Sequence, residues 1–129
     1  EAMIAKAKTI DSEGDYRVTV LPDWEPSEKF DFVHSMEFLY YLHDPQSMLK
    51  QLHDNWMNSG GMLVAGVDHY LENEDSLSWP EALNVHMTTL SMEDWKTAMI
   101  EAGFRDVELH QVAAKDSFIG TLVMCGKKA

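Results

Sequence analysis

With 129 residues and a formal net charge of −12, the chain has the length of one domain and too few clustered Lys and Arg to grip a nucleic-acid backbone. Its 45% hydrophobic and 25% charged content is that of an ordinary globular protein, and no apolar run is long enough to span a bilayer. A single cysteine, Cys125, excludes an internal disulfide.

The chain opens on Ala2-Met3-Ile4-Ala5-Lys6-Ala7-Lys8, an uncapped Ala- and Lys-rich stretch that suits the tail of a helix. Tyr16 to Leu21 alternates and predicts a strand, and the prolines 22 and 26 mark a loop after it. Phe30 to His34 is a second short strand, with a helical turn around Glu37 to Leu42. Asp44 is placed to cap the next helix and Pro45 suits its first position, while Met48, Leu49, Leu52 and Trp56 share one stripe. Asn58-Ser59-Gly60-Gly61 is expected to stop that helix. Met62 to Val67 is almost wholly apolar, the pattern of a strand covered on both faces. Asp68 to Thr89 has no regular period, and so long a connection is uncommon unless it is functional. Ser91 to Asp94 fits a capping box, opening a helix that runs to Gly103. Val107–Val112 and Phe118–Cys125 predict two strands joined as an antiparallel hairpin. Cys125 falls in this last apolar run, where a buried small hydrophobe is expected rather than a nucleophile. One unpaired Cys and nine Met suit a reducing cytoplasm. Alternation of strands and helices predicts an α/β fold with a mostly parallel sheet, a fold class with many functions.

Five segments in order carry a family resemblance: Phe30-Asp31-Phe32-Val33, Leu39 to Pro45, Asn58-Ser59-Gly60-Gly61, Leu90 to Trp95, and Ala102-Gly103-Phe104. Together with the closing hairpin they resemble class I S-adenosylmethionine-dependent methyltransferases over essentially the whole chain. The resemblance implies a Rossmann-like, mostly parallel sheet with a C-terminal antiparallel hairpin strand, incomplete at the N-terminus. On this expectation residues 1–129 are the C-terminal portion of a single methyltransferase domain. The family's glycine-rich cofactor loop would precede Glu1. Gly60-Gly61 does not replace it, because it follows a helix rather than linking a strand to a helix N-terminus.

By resemblance, S-adenosyl-L-methionine is the cofactor, with Asp23 and Trp24 near the adenine and His34, Ser35 and Met36 along the methionine portion. The alternatives are an ordinary turn for Asp23 and core packing for His34 and Met36. Tyr40 and Tyr41 offer ring faces to a sulfonium or an amine, with core packing of at least one as the favoured alternative. His69, Tyr70, Trp79 and His86 belong to the connection that caps the substrate in the family, with surface decoration as the alternative for each. No His-x-x-x-His or Cys-x-x-Cys spacing suggests a metal.

The expectation is therefore part of a methyltransferase that acts on a small polar molecule by direct transfer, the chain alone being inactive and binding cofactor weakly. No nucleic-acid or membrane partner is expected. The competing expectation is a non-catalytic half-domain that serves as an interaction module and forms a homodimer through exposed strand edges. A nicotinamide-dependent reductase is a weaker third.

Overall fold

A computed structural model describes residues 1–129. Helix α1 (Ala2–Ile10) has no side-chain cap and buries none of its residues. The following segment to Lys29 has no regular structure, and Tyr16–Leu21, predicted as a strand, pairs with nothing. Alternation supplies two faces, but a strand also needs a neighbour's N–H and C=O groups. Here Val18 and Val20 stay 57% and 72% exposed. Side chains hold the rest of the segment instead. Gln51 Nε2 donates to Pro22 O at 3.0 Å, Asn55 Nδ2 donates to Glu25 Oε1 at 2.8 Å, and Trp24 meets Trp56 edge-on at 5.5 Å.

Strands β1 (Phe30–Met36), β2 (Met57–Val67), β3 (Arg105–Val112) and β4 (Thr121–Lys127) form one sheet in the order β1-β2-β4-β3. β1 and β2 are parallel, while β4 runs antiparallel to both β2 and β3. Three strands therefore share a direction and the hairpin supplies the reversed one, as the α/β reading expected.

Helix α2 (Pro45–Gln51) starts where the sequence places it, with Asp44 Oδ1 accepting from Ser47 N at 3.0 Å. Its apolar stripe buries Met48 and Leu49, and Leu52 continues it. Such side chains contribute roughly 1.5–3 kcal/mol each when removed from water. The end differs from expectation. A wide turn at Leu52–Trp56 follows, and β2 begins at Met57 rather than Met62. The far end of the chain meets this turn. Lys128 Nζ donates to the carbonyls of His53 and Met57 at 2.7 and 2.9 Å, satisfying groups that the widened turn exposes. Gly60 N donates to Lys128 O, and Lys128 N donates to Gly61 O, so the Asn-Ser-Gly-Gly segment extends the sheet.

Short helix α3 (Trp79–Leu83) and a single turn at Glu74–Ser78 punctuate the long connection. Helix α4 (Met92–Ala102) begins with the predicted capping box: Ser91 Oγ accepts from Asp94 N at 3.0 Å, and Asp94 Oδ2 accepts from Ser91 N at 3.4 Å. In the hairpin, Val112 pairs with Thr121, and Phe118 belongs to the turn, where it exchanges two backbone bonds with Lys115.

The core lies on one side of the sheet. Leu63, Ala65 and Val67 of β2 and Leu122 and Met124 of β4 are buried with Met48, Leu49, Trp95, Ala98 and Met99 from α2 and α4. The opposite face carries Phe32, His34, Met62, Val64, Val123 and Cys125 by register. No helix covers it: Phe32 is 58% exposed, and Met62, Val64 and Val123 are only partly buried. The expectation of a strand shielded on both faces holds for one face only. Cys125, on that half-open face, has its thiol pushed up by burial and by the charge of Glu108, which favours the unreactive protonated form.

Candidate functional site

β1 and β2 pair from Phe32↔Met62 to Met36↔Gly66, so their carboxyl ends finish side by side. Such ends are where open α/β sheets bind ligands, because the chain diverges there and leaves a crevice. A cavity of about 270 Å³ lies beside β1, lined by His34, Ser35 and Met36 together with Leu21, Val33, Phe38, Met48, Leu52 and Trp56. A second cavity, about 400 Å³, shares Leu21 and adds Pro22, Tyr41, Leu42, His43, Asp44 and Ser47. The residues of the predicted methionine-arm wall are thus together, and Tyr41 is a neighbour.

Asp23 and Trp24 are elsewhere. Asp23 is exposed and lines neither cavity. Trp24 faces a third hollow with Arg17 5.8 Å above its ring, and only Trp56 borders both this hollow and the one beside β1.

The aromatic residues of the long connection divide into three places. Tyr41, Tyr40, His69 and Trp79 form a run of rings, with successive centroids 4.5, 5.6 and 6.3 Å apart. Tyr70 lies apart in the core, where its hydroxyl donates to Gly120 O at 2.6 Å and accepts from Gln111 Nε2 at 3.1 Å. His86 stacks on His43 at 3.7 Å on the exposed side. The connection is fastened to the turn at Leu39–Tyr41 by Thr88, whose N–H donates to Tyr40 O at 2.7 Å.

His69 is fully buried. Its Nδ1 lies 3.0 Å from Ser76 O, a pure acceptor, so Nδ1 carries the proton; Nε2, 2.7 Å from Thr89 Oγ1, then accepts. Both nitrogens are engaged, and burial holds the imidazole below its ordinary value of 6.5. The unfolded chain therefore takes up a proton first on acidification, and stability is lost as pH falls through about 6.5. Thermal unfolding of the native chain and His69→Gln, compared between about pH 7.5 and 5, should show the native advantage shrinking with acid. Parallel curves would contradict this assignment.

Glu37 adjoins these strand ends and carries no signal that pattern reading picks out. It follows β1 directly, and its N–H donates to Gly66 O at 2.9 Å, carrying the ladder one bond past the strand ends. Its φ is +54°, and its Oε2 accepts from Tyr40 Oη at 2.7 Å. Burial and the neighbouring Asp68 charge hold this carboxyl above the usual range, against the pull of hydrogen bonds from the Tyr40 hydroxyl and the Asp68 backbone. A positive φ is normally flagged by Gly or Asn, which this position lacks. The available signal was a lone carboxylate between Met36 and Phe38 in an otherwise apolar run.

A sheet with parallel strand ends facing a cavity and one reversed hairpin strand defines the class as a Rossmann-like α/β fold. Solved structures agree. A Mesorhizobium loti S-adenosylmethionine-dependent methyltransferase matches 99% of the chain with a TM-score of 0.78 at 17% identity, the match covering 76% of that protein. The Bradyrhizobium japonicum N-methyltransferase NodS, solved with S-adenosyl-L-homocysteine, matches 97% with a TM-score of 0.71 at 20% identity. The Haloferax volcanii chain solved in complex with the Trm112 methyltransferase activator matches 84% with a TM-score of 0.69 at 24% identity. The chain spans 61% of the length of NodS and 57% of the Haloferax chain. No curated protein matches it in sequence.

The profile of the family described as "Methyltransferase domain" matches residues 4–109, and the chain belongs to that family. S-adenosylmethionine is the family's cofactor. The residues present fit part of such a molecule. The apolar wall of Leu21, Val33, Met36 and Phe38, with His34 and Ser35 as its polar groups, suits one portion, but about 270 Å³ is below the usual range of about 300–1,000 Å³ for a complete ligand site.

Proposed function

We propose that these residues form one wall of an S-adenosylmethionine-dependent methyltransferase that acts on a small polar acceptor by direct transfer. The observation that carries this reading is the cavity at the carboxyl end of β1, lined by His34, Ser35 and Met36. When bound, the cofactor supplies an electrophilic methyl group on a cationic sulfur. The chain's contribution is placement: β1 and the turn at Leu39–Tyr41 supply walls that fix an acceptor in line and keep water away. Tyr41, exposed and bordering the cavity of about 400 Å³, supports the acceptor side, because a ring face attracts cationic groups, while Tyr40 and His69 behind it are buried. With both nitrogens occupied, His69 positions the connection rather than removing a proton. A cytoplasmic setting suits one free thiol and nine methionines; no helix is long and apolar enough to cross a membrane.

A homodimer through strand edges is the second reading. The outer edge of β1 has no neighbour, and Phe30 and Phe32 are exposed along it.

Titration of the ¹⁵N-labelled chain with S-adenosylhomocysteine, with particle mass measured in the same samples, tests both. The methyl-transfer reading expects weak binding, about 0.1–1 mM because contacts are partial, with shifts at Val33 to Phe38. Absence of shifts there would sink it. A concentration-independent monomer mass would sink the dimer.

A further inference from the structure

We propose that helix α1 docks, through Met3, Ile4, Ala7 and Ile10, on the uncovered sheet face of a second copy, the two copies exchanging their N-terminal helices. This deepens the dimer reading by naming the surfaces that meet, and it requires neither edge pairing of β1 nor methyl transfer.

Two apolar surfaces of the chain each lack a cover. The first is on α1. Nine residues are too few for a helix to persist alone in water, because most helical stability comes from packing an apolar stripe. At about 100° per residue Met3, Ala7 and Ile10 fall on one stripe with Ile4 at its side, and Lys6 and Lys8 flank it on either hand. None of these is buried, and Met3 and Ile10 are 86% and 77% exposed. The second surface is the bare face of the sheet around Phe32, Met62, Val64 and Val123.

Size and charge match the two. From β1 to β4 the face spans two strand spacings, about 10 Å, which is the width of one helix. α1 is about 13 Å long, within the roughly 20 Å run of the seven residues of β1 or β4. Residues 1–10 hold two lysines against Glu1, whereas the other 119 hold 21 acidic and 8 basic residues, so α1 is a cationic helix on an anionic molecule. On the face itself exposed Glu108 lies opposite Cys125, and Lys127 lies opposite Met62. The lysine-flanked half of α1 is therefore directed toward Glu108 and away from Lys127.

The attachment of the arm selects the copy. Leu21 packs against the core and Gln51 holds the Pro22 carbonyl, so the chain leaves toward its N-terminus on the α2 side of the sheet, opposite the bare face. Docking on its own face would carry the arm round the edge of β1. Residues 11–20 reach up to about 36 Å when extended, enough to cross to a neighbour, and a two-fold arrangement docks both helices at once.

The test follows particle mass and the ¹⁵N spectrum of the full chain through a dilution series at about 0.15 M salt, where repulsion between acidic molecules is screened. The native chain is compared with the double variant Met3→Glu, Ile10→Lys. This variant leaves the net charge unchanged and puts an acid in the first turn and a base in the last, so the helix itself is not weakened. The native chain should pass from monomer to dimer with concentration, the signals of Ile4, Ala7, Val64 and Val123 moving together. The variant should associate tenfold or more weakly, the scale of one lost apolar side chain. A native monomer at every concentration would overturn the exchange, also if those four signals reported α1 on its own sheet. A dimer that survives unweakened in the variant would overturn it too, and shifts confined to Phe30 to Met36 would then leave edge pairing standing. S-adenosylhomocysteine reads the methyl-transfer site separately, so either reading can fail alone.

Discussion

Trp95→Ala should cost about 3 kcal/mol of unfolding free energy, the lower end of the usual range of about 3–5 kcal/mol for removing a buried Trp. Trp95 is the largest fully buried side chain, on the face of α4 that meets the sheet, with Ala98, Met99 and Ala102 buried on the same helix. Removing it leaves a cavity among side chains already in contact. The lower end is expected because the indole Nε1 is buried without a partner, and deleting it also removes an unsatisfied donor. The same argument separates two variants. Trp95→Phe keeps most of the volume and discards the orphaned N–H, so its cost should be about 1 kcal/mol or less. Urea unfolding of both decides the matter: a phenylalanine variant that loses well over about 1 kcal/mol would mean that the indole nitrogen has a partner. Against a typical total of about 5–15 kcal/mol, the alanine variant should lose a substantial part of its folded population at elevated temperature.

Gly120→Ala should cost more than about 2 kcal/mol, with disturbance centred on the hairpin. Gly120 has φ +110°, and a Cβ there would stand 2.9 Å from Val112 O and 3.2 Å from Val112 N. Both are backbone atoms of the partner strand, which cannot turn aside as a side-chain tip can. The Gly120 carbonyl also accepts the buried Tyr70 hydroxyl, so any shift is felt in the core. Gly60 is the internal control. Its φ is +84°, but nothing lies within 4 Å of the added carbon, so Gly60→Ala should lose only the backbone strain, about 1 kcal/mol. Thermal melts of the two variants should differ clearly in midpoint. Similar midpoints would show that contact with Val112 is not the source of the cost.

Elements written in short-range chemistry were legible in the sequence. Asp44-Pro45 and Ser91 to Asp94 are complete within four residues, and both caps form as expected. The strands that became β1 and the second half of β2 were legible too, because their apolar runs pair with each other. Tyr16–Leu21 has a comparable pattern and no partner, which a local reading cannot detect. The start of β2 was hidden for the opposite reason: its contacts are distant, Lys128 lying 75 residues from the His53 carbonyl to which it donates. His34, Ser35 and Met36 border one cavity because it lies at the strand end, although alternation sends Ser35 to the sheet face opposite His34 and Met36. His69, Tyr70, Trp79 and His86 share one connection in sequence, and the fold sends them to three places. Position in the chain gives their neighbourhood but not the direction in which each ring points. Glu37 was illegible in its conformation, since residue type there contradicts the backbone.

The bare side of the sheet has a consequence for handling. At low ionic strength a net charge of −12 keeps molecules apart at distances longer than any apolar contact. Near physiological salt the repulsion reaches only about 8 Å, and the Phe32 side of one molecule can then approach that of another. Dilute buffer, rather than added salt, is the medium in which dispersed particles should persist.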